Sequence, residues 1–198
     1  MISPEIYKGR SCIQIGDNVP DFDAVAYHEE KDIHIKLSSY RGKWVVLLFY
    51  PADFTFVCPT ELAEAAHLYH EFQKNDAEIM SISTDSVYVH KAWHDHSELV
   101  KTVQYPMISD PTAGICKAFG TYLPEEGVSL RATAIIDPDS VLKAFEIHDN
   151  SIGRSIKEIL RKLQAAKFVR EHPNLVCPAS WEPGKDIIEP GLELAGNM

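Results

Sequence analysis

The stretch "YRGKWVVLLFYP", residues 40–51, decides the fold. From Trp44 to Tyr50 it is apolar or aromatic without interruption, with Gly42-Lys43 before it and Pro51 after it. A strand with one wet face would alternate apolar and polar residues. An unbroken run belongs to a strand covered on both faces, as in α/β sheets. The residues after it fit that picture. Leu62, Ala65, Ala66, Tyr69 and Phe72 recur at helical spacing and predict a helix over 59–74. "AEIMSIST" (77–84) predicts a second strand, a helix follows from near Ser86 to about Val100, and "YPMISD" (105–110) predicts a third strand.

"AGICKAFG" (113–120) reads as a short helix closed by Gly120, and "RATAIIDPDSVLKAFEI" (131–147) as a hairpin turning at Asp137-Pro138-Asp139-Ser140. Residues 152–171 carry Ile156, Ile159, Leu160, Leu163 and Ala166 on one stripe, the pattern of a long amphipathic helix. Upstream, residues 13–36 read as short strands and turns, with alternation from Ile33 to Leu37. The tail from His172 is rich in Pro and Gly and has no period. The expectation is an α/β fold of one domain, residues 1–198, with a central mixed sheet flanked by helices in the thioredoxin-like order and an extended C-terminal tail over 172–198.

The formal charge of −10 argues against nucleic acid, whose phosphates need a surplus of Lys and Arg. No apolar run is long enough to span a membrane, and the start "MISPEIYKGR" has no apolar signal core. Four cysteines, Cys12, Cys58, Cys116 and Cys177, are too few to build a fold from disulfides. None forms a CxxC pair, so neither a zinc ribbon nor a thioredoxin-type dithiol is indicated. A reducing cytoplasm fits this usage, and cytoplasmic location is the expectation.

Catalytic groups gather where strands of such sheets end. The strand ending at Tyr50 delivers the chain through Pro51–Val57 to "CPTEL", the first turn of a helix. Proline suits that turn, because its missing N–H would be unpaired there anyway. Cys58 is therefore placed at or near a helix N-terminus, where free N–H groups favour a thiolate. Thr55 is near enough in sequence to offer a hydroxyl to the sulfur or to an incoming oxygen. Ionisation alone gains about 30-fold at most, so a fast thiol enzyme also needs fixed donors aimed at developing charge. On these residues alone, a packed inert thiol and a nucleophile both remain open.

"PADFTFVCPTEL" resembles the peroxidatic motif of the typical two-cysteine peroxiredoxins, with Pro51, Thr55 and Cys58 in the motif's positions. "STDSVYVHKAWH", "ISDPTAGICKAFG", "LRATAIIDPD" and "EHPNLVCPASW" follow in the same order as their family counterparts. The wording is similar to the bacterial alkyl hydroperoxide reductase C branch, and the resemblance covers nearly the whole chain. It implies a thiol-dependent peroxidase for hydrogen peroxide and organic hydroperoxides, serving antioxidant defence without cofactor or metal. Cys58 would be the peroxidatic cysteine and pass through a sulfenic acid. Arg131 would hold the thiolate and the peroxide oxygen, Pro51 would keep water out, and Thr55 would orient the peroxide. Glu61 would fix an arginine, and Trp93 would support packing or an interface. Cys177 would be the resolving cysteine, closing an intersubunit disulfide with Cys58 of the other chain. The resemblance further implies a homodimer, a ring of five dimers (a decamer), and thioredoxin or a flavoprotein disulfide reductase as electron donor. Aromatic residues near the active-site loop, Tyr50, Phe54 and Phe56, add some support for assembly.

Other signals point elsewhere or nowhere. A holdase chaperone independent of Cys58 is an alternative reading, and a disulfide oxidoreductase lacks the second cysteine that "CPTE" would need. His90, His94 and His96 invite a metal reading, since histidines at i and i+4 share a helix face, but no carboxylate or cysteine completes a specific pattern. Cys116 reads as a core thiol and Cys12 as an incidental exposed one. Lys157, Arg161, Lys162, Lys167 and Arg170 read as a solvated helix face. Peroxiredoxins prone to over-oxidation carry a Gly-Gly-Leu-Gly loop and a C-terminal Tyr-Phe helix. Here "PEEGVSLR" (124–131) keeps only part of the first, and the tail lacks the Tyr-Phe pair, which implies resistance to over-oxidation.

Overall fold

The long apolar run forms an interior strand of the sheet, paired on both sides. In the computed structural model, which describes residues 13–194 and 196, β3 spans Trp44–Phe49 and every one of its residues is buried. Cys12 lies outside the described residues. Around β3 stand β1 (Asp23–His28), β2 (Lys31–Lys36), β4 (Ala77–Ser83), β5 (Met107–Ser109), β8 (Arg131–Ile136) and β9 (Leu142–His148). Their order across the sheet is β2-β1-β5-β4-β3-β8-β9. Strands β3, β4 and β5 run parallel to one another, while β8 runs antiparallel to β3 and β9 antiparallel to β8. The sheet is mixed, as the sequence predicts. A separate two-stranded hairpin, β6 (Tyr122–Leu123) with β7 (Val128–Ser129), holds the "PEEGVSLR" segment.

The helices are α1 (Cys58–Lys74), α2 (Val87–His96), α3 (Gly114–Ala118) and α4 (Ile156–Glu171). Helix α1 packs on β4, and α2 packs on β1 and β5. Alternate residues of β3, Val45, Leu47 and Phe49, join Met80, Ile82, Ala132, Ala134 and Ile136 in one apolar cluster. Of the residues the helical spacing selects on α1, Leu62, Ala65, Tyr69 and Phe72 are buried and Ala66 is half-buried, and burial of large side chains such as Leu62 and Phe72 contributes about 1.5–3 kcal/mol each.

The chain divides into two compact units, one up to Ile156 and one from Lys157 on. In the second, the rest of α4 leads into a tail that carries a backbone bridge, Val176 to Ile188, and a 3₁₀ turn at Leu192–Leu194.

Several boundaries differ from the sequence reading by a residue or more, and those of three helices bear on the site or its neighbours. Helix α2 stops at His96 rather than Val100, because Ser97 is extended, and Val100–Thr102 forms a 3₁₀ turn instead. Helix α1 begins at Cys58, one residue before the proline. Helix α4 begins at Ile156 rather than 152. The cause of that last shift is chemical. The backbone N–H of Arg154 is donated to the Glu61 carboxylate, so the segment before Ile156 is held to α1.

Candidate active site

The β3–β8 register sets the position of the key cation. Phe49 pairs with Ala132, so Arg131 starts its strand beside the point where β3 hands the chain to Pro51. The chain then crosses Pro51–Val57 and enters α1 at Cys58, with Pro59 as the second helical residue. Cys58 is fully buried. Arg131 Nη1 donates to Cys58 Sγ at 3.2 Å and to Glu61 Oε2 at 2.8 Å. Its Nε donates to the Asn150 carbonyl at 2.9 Å, and its backbone N–H to Asn150 Oδ1 at 3.1 Å. The guanidinium is therefore fixed at its stem as well as at its tip.

Glu61 pairs with an arginine as expected, and it pairs with two. Arg154 donates to Glu61 Oε1 from its backbone N–H (2.7 Å) and Nε (2.9 Å), and to Oε2 from Nη2 (2.9 Å). Its Nη1 reaches the Ala132 carbonyl and Thr133 Oγ1. Burial opposes ionisation of Glu61, but the hydrogen bonds and charge of Arg154, with the charge of Arg131, outweigh it and hold the carboxyl below its usual range. Two buried guanidinium groups against one carboxylate leave a surplus of one positive charge, with Arg131 bonded to the Cys58 sulfur.

Arg154 is a residue the sequence reading missed, because the pattern assigned it to the first turn of a helix. The break "DNSIG" ahead of it was the available signal. Gly153 is part of the reason for that break. A Cβ there would lie 3.3 Å from Val57 Cγ1, so glycine lets this segment close on the residue that precedes Cys58.

The loop between β3 and α1 is tied down from the other side. Tyr50 OH donates to Asp53 Oδ1 at 2.7 Å, and His90 Nδ1 meets Asp53 Oδ2 at 2.7 Å. His90 Nε2 lies 3.2 Å from the Ile108 carbonyl, and the Asp53 N–H donates to Asp85 Oδ2 at 2.9 Å. The loop is thus pinned to α2 and to β5. His90 is a buried anchor, separate from His94, which faces Tyr27 OH, and from His96, which bonds the Ala92 carbonyl. Glu30, His94 and Asp95 come within ligand distance of one another, but Lys91 Nζ is bonded to both carboxylates at 2.9 Å.

Within the loop, Pro51 is buried and Phe54 adopts a left-handed backbone, φ 54°, which is strained for a non-glycine residue. Thr55 Oγ1 donates to the Ala52 carbonyl at 2.8 Å, which fixes the hydroxyl and leaves its lone pairs to accept. Trp93 is buried, with the rings of Tyr50 and Phe54 6.2 and 6.0 Å away. Tyr50 is fully buried and has no surface to offer a partner, whereas Phe54 and Phe56 are 56% and 93% exposed. Cys116 is a buried thiol, pushed up to about 12 by burial and by Asp110, and is inert at neutral pH. Cys177 lies in the second unit and is partly buried, with Sγ 4.0 Å from the Ala165 carbonyl.

Comparison with known proteins gives one consistent answer. Residues 15–145 match the model of the AhpC/TSA family. An alkyl hydroperoxide reductase C of Pseudomonas aeruginosa is 46% identical over 184 residues, covering 93% of this chain and 98% of that protein. Its counterpart in Salmonella typhimurium is 40% identical with the same coverage. Among solved structures, Enterococcus faecalis AhpC superposes with a TM-score of 0.81 at 41% identity, covering 83% of this chain and 98% of that one. The reduced 2-Cys peroxiredoxin of Plasmodium vivax gives 0.88 at 32% identity, covering 91% and 95%. The thioredoxin-like fold with its central mixed sheet is thereby shared with solved peroxiredoxins, and this chain belongs to the AhpC/TSA family, as a thiol-dependent peroxidase of the AhpC type.

Proposed function

We propose that Cys58 is the peroxidatic cysteine and Cys177 the resolving one, and that the substrates are hydrogen peroxide and organic hydroperoxides. The single observation that carries the reading is the fork of Arg131, whose Nη1 serves the Cys58 sulfur and the Glu61 carboxylate together. The thiolate attacks one peroxide oxygen, the O–O bond breaks, and the other oxygen leaves as alkoxide or hydroxide and takes a proton. Arg131 stabilises negative charge on sulfur before the attack and on oxygen during it. Thr55 accepts a hydrogen bond from the peroxide O–H, and Pro51 keeps bulk water from the sulfur. The sulfur is enclosed at rest, so the peroxide enters by opening of the Pro51–Val57 loop.

The resulting sulfenic acid condenses with Cys177 of a second copy to give an intersubunit disulfide. Sulfur atoms bond at about 2 Å, so a buried helix-start cysteine and a tail cysteine must both leave their resting places. The chain is read as one domain, 1–198, whose tail carries the resolving thiol. It acts as a homodimer, assembled further into a ring of five dimers, with the exposed Phe54 and Phe56 available to the assembly. The disulfide is recycled by thioredoxin or a flavoprotein disulfide reductase, and the protein works in the cytoplasm.

Cys177→Ser tests the scheme. One equivalent of peroxide should be consumed per chain, followed by no turnover with any disulfide reductant, and non-reducing gels should lose the covalent dimer. Undiminished steady-state turnover would remove Cys177 from the mechanism. A further expectation follows from the tail, which carries no α-helix after Glu171 among the described residues. With little to unfold, Cys177 should capture the sulfenic acid before a second peroxide does. Mass spectrometry after a modest peroxide excess, with reductant present, should show mostly disulfide, and a majority of sulfinylated Cys58 would refute the idea.

A further inference from the structure

Arg161 leaves the solvated face to which its charged neighbours assign it. Its Nε and Nη2 donate to the two oxygens of Glu158 at 2.7 and 2.8 Å, and its Nη1 donates to the Trp181 carbonyl at 2.8 Å. Trp181 is only 4% exposed and packs on Phe168 at 4.9 Å, and its indole N–H donates to the Lys185 carbonyl at 3.3 Å. Val176 and Ile188 exchange two backbone hydrogen bonds, 2.9 and 3.1 Å, and so close residues 176–188 into a loop. Cys177 stands just inside that neck, against the carbonyl of Ala165, one helical turn beyond Arg161. Arg161 thus grips the far limb of the loop from the same stretch of helix on which the thiol rests.

On the reading of Cys177 as the resolving cysteine, we propose that Arg161 is a positioning residue for disulfide formation. It anchors the 176–188 loop through Trp181 and holds a positive charge near the resting thiol, so that Cys177 departs more often as thiolate. The step is Cys177–SH plus Cys58–SOH giving the disulfide and water. The Cys177 sulfur is oxidised and the Cys58 sulfur reduced, and the thiol proton ends on the departing hydroxide. Only the thiolate attacks. Burial pushes the Cys177 thiol up, and the guanidinium of Arg161 works against that rise. The charge is not wholly available to the sulfur. Glu158 holds it from the helix, Glu182 acts on it from the tail, and Lys162 Nζ stands 3.9 Å from Glu158. The effect is therefore moderate.

The test is rapid mixing of the full-length protein with hydrogen peroxide, quenched and read as disulfide on non-reducing gels across a pH series. Arg161→Gln should form the disulfide about fivefold more slowly at pH 7, with the deficit vanishing at alkaline pH, where the thiol ionises unaided. Arg161→Lys should restore the wild-type pH profile. Glu158→Gln, which frees the guanidinium, should be faster than wild type at pH 7. An Arg161→Gln rate that is unchanged, or changed by one factor at every pH, overturns the charge role. Mapping the disulfide by mass spectrometry separates the two failures. A bond that omits Cys177 refutes the resolving assignment itself, while a Cys58–Cys177 bond formed at an unaltered rate refutes only the part given to Arg161.

Discussion

Cys58→Ser leaves no peroxide turnover, and Arg131→Met, with the sulfur intact, slows the attack on hydrogen peroxide by about 10²–10³. The first result follows from losing the sulfur proposed above to attack the peroxide. The second isolates the arginine. Arg131 provides one short contact to the sulfur, 3.2 Å, from a side chain fixed at both ends by Asn150 and Glu61. A donor held in place before the reaction costs no reorganisation during it, which is why one such group is worth so much. Removing Arg131 leaves Glu61 still bonded to Arg154 through three hydrogen bonds, so the fold should survive the change. Arg131→Lys should fall between wild type and Arg131→Met, because one ammonium cannot reproduce a planar fork that serves sulfur, carboxylate and backbone at once. Stopped-flow measurement of Cys58 oxidation at increasing peroxide reads the step directly. A loss smaller than threefold in Arg131→Met would show that the arginine does not act in the attack.

How much of this was legible in the letters divides by distance along the chain. Strand β3, the helix after Cys58 and the hairpin at 131–147 are local patterns, and burial on both faces of β3 leaves an unbroken apolar signature. The place of Cys58 at a helix start was legible because strand, loop and helix start are contiguous. Arg154 and the Asp53–His90 anchor were not. Arg154 meets Glu61 across 93 positions and His90 meets Asp53 across 37, and a buried polar pair of that kind imposes no period on the sequence at either end. His90 even sat in a misleading pattern, since its spacing to His94 suggests a shared helix face while burial separates their partners. Arg161 misled in the same way: a basic residue among basic residues reads as solvated until a carbonyl from the tail is found on it.

Glu61→Ala should be the most damaging substitution for stability, costing about 3–5 kcal/mol, because it strands two buried guanidinium groups. The carboxylate is 2% exposed and accepts four hydrogen bonds, three from Arg154 and one from Arg131. A guanidinium group keeps its charge in proteins, so charge left uncompensated by the loss of the carboxylate has no other relief. Glu61→Gln keeps the shape and one acceptor, should cost less, and is the better probe of the charge. The sign of the pH dependence follows from the lowered Glu61 value. The unfolded chain takes up that proton more readily than the folded one, so the contribution is present above the ordinary carboxylate value of 4.5. It is lost as the pH falls past that value and through the lower folded one. Urea unfolding of wild type and Glu61→Gln should therefore differ most near neutrality and converge in acid. Parallel curves from neutral pH into acid would mean that the carboxylate's charge does not hold the cluster together. The same substitution should also slow peroxide attack, since Arg131 loses the anchor at its tip, and the two losses have one cause. The carboxylate that lets two cations be buried is also the group that aims one of them at sulfur.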